Sequence, residues 1–95
     1  MKTIVIYPGR LQPFGPHHFK SYQWLCNTFG QENVYIATSN VVGENNPLNF
    51  EEKKRCIERY AVLKTNIVQV KEPYKSYEIT NKFNPNTTSV ILALS

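Results

Sequence analysis

Apolar positions along the chain alternate between two kinds of segment. Thr3 to Tyr7 form a short unbroken run of β-branched, aliphatic and aromatic residues, the composition of a strand covered on both faces. Pro8 and Gly9 end it. The period then changes. Phe19, Tyr22, Leu25, Cys26 and Phe29 recur at helical spacing, which predicts a helix from His17 to Phe29 with Gly30 as its stop. Val34 to Thr38 read as a second buried strand, so the first third of the chain is a βαβ unit with parallel strands by default.

The remainder repeats the theme. "VVGENNPLN" reads as a loop. Asn49 is placed to cap the next helix, with Glu52 three residues on as in a capping box. Phe50, Ile57, Tyr60 and Ala61 supply that helix with an apolar face. "NIVQV" reads as a third strand and "PYKSYEITNKF" as a short helix carrying Ile79 and Phe83 four residues apart. "NPNTT" is a turn, and "SVILAL" reads as a fourth strand. The βαβαβαβ order predicts an α/β fold: a Rossmann-like open parallel sheet of about four strands with helices on both faces, a three-layer α/β/α arrangement.

Composition adds bounds. Ninety-five residues, 41% of them hydrophobic and 19% charged, suit one domain, 1–95. The net charge is +4, but the basic residues form no long run. The densest cluster, Lys53, Lys54 and Arg55 after Glu51 and Glu52, reads as a solvated helix face, so nucleic acid is not the expected partner. Cys26 and Cys56 lack metal-type spacing and fall within helices, which suits reduced, buried thiols. No leader and no membrane-length apolar run is apparent, so the expectation is a soluble, cytoplasmic protein with no membrane partner. Trp24 reads as a packing residue.

The candidate chemistry lies in "GRLQPFGPHH", Gly9 to His18, between the first strand and the first helix. Both histidines of the chain, His17 and His18, stand here side by side. A helix N-terminus offers unpaired N–H groups and the positive end of a dipole, which favour phosphate. Gly9 and Gly15 let backbone approach a ligand, three prolines stiffen the loop, and Arg10 and Lys20 add charge. A surface loop with no ligand accounts for the same composition equally well.

The decapeptide resembles the signature G-R-F-Q-P-F-H-x-G-H of the nucleotidylyltransferase superfamily. Arg10 and Gln12 make it most like the nicotinamide-nucleotide adenylyltransferases, since other branches more often carry G-T/S-F-D-P there. Gly9, Arg10, Gln12, Pro13, Phe14 and His18 agree with the signature, and Leu11 replaces a phenylalanine. Gly15 stands where the first signature histidine belongs, and His17 where the signature glycine belongs. "NNPLNFEEKK" resembles a second block, N-P-F-T-A-G-E-R, through Asn46, Pro47 and Glu52, with Leu48 for Phe and Lys53 for Arg. "IVQVKEPY" and "VILALS" resemble small members of the superfamily. A third block, I-S-S-T-x-x-R, has no counterpart, and its place would lie beyond Ser95. The resemblance therefore implies a domain lacking its C-terminal part.

The resemblance also implies an activity: transfer of a nucleoside monophosphate, AMP foremost, from a nucleoside triphosphate to a small phosphorylated acceptor such as nicotinamide mononucleotide, releasing pyrophosphate. It implies magnesium carried by the nucleotide, with ATP the favoured triphosphate. His18 is implied as the catalytic contact to the α-phosphate, and His17 as a displaced partner occupying the place of the absent histidine. Gly9, Arg10, Gln12, Phe14, Gly15 and Lys20 are implied in phosphate or nucleotide binding. Ser39, Asn40 and Asn46 are implied at the acceptor or base site. A CTP-dependent cytidylyltransferase and a non-catalytic nucleotide-binding domain are the alternatives. The acceptor and the oligomeric state, a homo-oligomer included, are left open.

Overall fold

A computed structural model describes residues 1–94. Four parallel strands, β1 (Lys2–Pro8), β2 (Val34–Thr38), β3 (Ile67–Gln69) and β4 (Thr88–Leu92), form one open sheet in the order β3-β2-β1-β4. The chain moves outward from β1 through β2 to β3, then returns to the other side of β1 for β4. This is the Rossmann-like α/β arrangement the segment order predicts.

The two faces of the sheet carry different helices. Val5, Tyr7, Val34 and Ile36 alternate onto one face, where they meet Tyr22 and Leu25 of α1 (Pro16–Phe29) and Phe50 and Ile57 of α2 (Phe50–Ile57). Ile4, Ile6 and Ala37 point the other way and pack with Val70 and with Ile79 of α3 (Tyr77–Thr80). Period-two alternation along β1 and β2 thus builds two cores from apolar runs that look featureless in one dimension.

Several expectations need adjustment. α2 ends at Ile57, so Tyr60 and Ala61 lie beyond it. The chain tightens there: Arg59 N–H donates to Cys56 C=O and Tyr60 N–H to Ile57 C=O, bonds one residue shorter than the α-helical pattern. This turn lets Tyr60 pack against Phe14 and Phe19 while Ala61 stays exposed. Cys26 and Cys56 are free thiols but only half-buried. Trp24 is 63% exposed and is no packing residue. It lies off the stripe that Tyr22, Leu25 and Phe29 make along α1, which is why the core does not receive it.

Lys53 is the largest departure. Far from forming part of a solvated face, it is buried, 1% exposed. Phe50, Lys53 and Ile57 are the buried residues of α2, at spacings of three and four, so Lys53 sits on the apolar side of the helix. β4 is one of the two sheet edges, and Val90, Ile91, Leu92 and Leu94 are exposed. Among the described residues no helix is long and apolar enough to cross a membrane.

Candidate phosphate-binding site

The site lies beyond the C-terminal ends of the strands, where ligands of open α/β sheets gather. The chain leaves β1 at Pro8, and Gly9 N–H still donates to Ala37 C=O of β2. Leu11 adopts φ +51°. A non-glycine residue in the left-handed region costs roughly 1 kcal/mol or more. Burial of the Leu11 side chain in the α1/α2 core offsets that.

The loop then enters α1. Pro16 takes the first helical position, where no N–H is needed. Gly15 is the N-cap with extended backbone. Having no side chain, it cannot cap the helix in the usual way. The reciprocal bond is present instead: Gly15 N–H donates to Nδ1 of His18 across 2.9 Å. With Nδ1 occupied as an acceptor, the proton of the neutral ring is on Nε2, and Nε2–H is the donor His18 has left. The His18 ring stacks on buried Phe14 at 5.4 Å, which fixes its plane.

His17 completes the pair. Its ring centroid is 3.8 Å from that of His18. A Cβ placed on Gly15 would lie 3.5 Å from the His17 ring. The imidazole of His17 therefore stands beside the space a side chain at position 15 would fill. Burial, and then the neighbouring charge of His17, hold the pKa of His18 below the ordinary 6.5.

Pro8, Gly9, Arg10, Leu11, Gln12, Pro13, both histidines and Tyr74 line an open cleft of about 540 Å³. A second cleft of about 480 Å³ shares Arg10 and Tyr74 with the first and is also lined by Ser39, Asn46 and Lys71.

Several of the residues expected here are engaged within the protein. Arg10 reaches across to the tight 43–46 turn, with Nε donating to Asn46 Oδ1 at 3.1 Å and Nη2 to Asn45 C=O. Gln12 spends both ends of its amide on one residue, donating to Leu48 C=O at 3.1 Å and accepting from Leu48 N–H at 2.9 Å. Phe14 is core. Lys20 is exposed on α1 and outside both clefts. Asn40 Oδ1 accepts from Phe50 N–H and so pins the start of α2. Asn49 and Glu52 form the expected reciprocal capping box. Ser39 and Asn46 do line the second cleft, and Gly9 and the two histidines line the first.

Two residues at the site were not legible as such. Tyr74, 60% exposed, stands between the clefts, with only the adjoining Pro73 to mark it in sequence. Lys53 lies beneath the site. Its ammonium donates to Thr38 Oγ1 at 3.0 Å and Ser39 C=O at 2.7 Å. Burial, and then the charge of Arg10, lower its pKa from 10.5.

No family model, curated protein or solved structure matches the chain.

Proposed function

We propose that the chain is a nucleotidyltransferase-type protein whose first cleft holds the phosphates of a nucleoside triphosphate, with ATP favoured. The observation that carries this reading is the paired imidazoles at the start of α1, 3.8 Å apart, with one ring fixed so that its Nε2–H is the free donor. Two imidazoles this close repel as cations, and a phosphate between or above them converts the repulsion into attraction. The likeness of Gly9 to His18 to the nucleotidylyltransferase signature points the same way.

In this reading an oxygen of a phosphorylated acceptor attacks the α-phosphorus in line, and pyrophosphate leaves. His18 donates from Nε2 to a non-bridging oxygen as charge develops there. His17 supplies the second contact that a residue at position 15 would otherwise make. The acceptor lies in the second cleft, against Ser39, Asn46 and Tyr74, with the Arg10 side chain, held by Asn45 and Asn46, as part of the wall shared with the first cleft.

Magnesium carried by the nucleotide would neutralise the leaving pyrophosphate. The first cleft offers nitrogen donors and, among the described residues, no carboxylate. No group of three or more His, Cys, Asp or Glu side chains among the described residues is placed to hold a metal.

The absence of a side chain at Gly15 favours a second reading, a nucleotide-binding domain without transfer activity. Pyrophosphate release separates the two. With magnesium, ATP or CTP and nicotinamide mononucleotide, the enzyme reading expects pyrophosphate with one nucleotide and its loss in His18→Asn. Saturable nucleotide binding with no pyrophosphate under any pairing selects the binding domain. No binding of either nucleotide rejects both.

A further inference from the structure

Among the described residues Lys53 is the only charged side chain that is buried. The ion pairs found are Lys64 with Glu58 and Lys75 with Glu72, and neither involves it. Its nearby charge is Arg10, of the same sign. A buried cation with no acid beside it is costly, and an apolar residue between Phe50 and Ile57 would pack this face more cheaply. The side chain instead enters a directed hydrogen-bond chain.

Lys53 Nζ donates to Thr38 Oγ1 at 3.0 Å, which occupies that hydroxyl as an acceptor. The hydroxyl's own proton goes to Arg10 C=O at 3.2 Å. Lys53 also donates to Ser39 C=O, the first residue past β2. Arg10 is therefore gripped at both ends, its peptide by the chain from α2 and its guanidinium by Asn45 and Asn46. The chain links α2, the end of β2 and the loop after β1 at the shared wall of the two clefts.

We propose that Lys53 is a positioning residue for polyphosphate: through Thr38 it holds the Arg10 peptide in place, and its ammonium adds a positive charge that an incoming polyanion offsets. This rests on the reading of the first cleft as a phosphate site. Burial, and then the like charge of Arg10, lower the pKa of Lys53.

The test is calorimetric titration of the full chain with inorganic triphosphate, alongside thermal melts of each variant. Thr38→Val removes the hydroxyl relay at nearly constant shape and is expected to weaken binding about tenfold. Thr38→Ser keeps the relay and is expected to bind within about twofold of the native chain. Lys53→Met is expected to weaken binding at least as much as Thr38→Val, and if it fails to fold the Thr38 pair decides alone. A merely structural role would lower the melting temperatures and leave the affinity of the folded chain unchanged, which would overturn the proposal while the phosphate reading stands. If the native chain binds no triphosphate, the phosphate reading fails and this proposal with it.

Discussion

The Gly15 amide and the His18 imidazole are hydrogen-bonded, Gly15 N–H to Nδ1, across 2.9 Å. One bond caps α1, fixes the tautomer of His18 and aims its remaining donor. It also makes the loop sensitive to protonation, because a proton on Nδ1 abolishes the acceptor.

The sign of that sensitivity follows from the lowered pKa of His18, caused by burial and then by His17. The stability tied to the neutral ring is fully present above 6.5. As pH falls below that value, the unfolded chain takes the proton first, and the folded state loses stability until His18 itself is protonated. His18→Asn keeps an acceptor for Gly15 N–H and does not titrate. Its melting temperature should fall less than that of the native chain between neutrality and about pH 5. Parallel falls would show that His18 is not the group responsible.

Two glycines should respond unequally to alanine. Gly30 ends α1 at φ +92°, and a Cβ there would come within 2.8 Å of Glu32 Oε1. Gly30→Ala should cost about 1–2 kcal/mol in urea unfolding. Gly15 has φ −123° and room for a Cβ at ordinary contact distance. Gly15→Ala should change stability by no more than about 0.5 kcal/mol. A large loss at Gly15 would mean that the loop packs more tightly than described.

Gln12 should behave as a brace. Its amide answers both the N–H and the C=O of Leu48. Gln12→Glu keeps the acceptor but sets a carboxylate oxygen against Leu48 C=O, at an expected cost of about 1–3 kcal/mol. An unchanged urea midpoint would return Gln12 to the list of ligand contacts.

The fold was legible because each element announces itself locally: the apolar runs at Thr3–Tyr7 and Val34–Thr38, the stripe of Tyr22 and Leu25, the Asn49–Glu52 box. The candidate site was read from the Gly/Pro-rich loop and the two histidines at a helix start, and the fold brings Gly9, His17 and His18 to one cleft. The division of labour within it did not. Arg10 and Gln12 look like ligand contacts in one dimension, yet their partners lie 35 and 36 residues away. Those contacts exist only once β1 and β2 are neighbours. Lys53 hid inside a charged run, where composition argues for solvent. Its spacing to Phe50 and Ile57 was the available signal, and it outweighs the company the residue keeps. Trp24 erred the other way: its size suggested the core, while its phase along α1 sends it to solvent.

The measurement that tests the account most directly is calorimetric titration of magnesium-ATP into the native chain, His17→Ala and His18→Ala. The account predicts saturable binding by the native chain, a loss of at least about tenfold in His18→Ala, and a measurable loss in His17→Ala. Native-strength binding by His18→Ala, or none by the native chain, would contradict it.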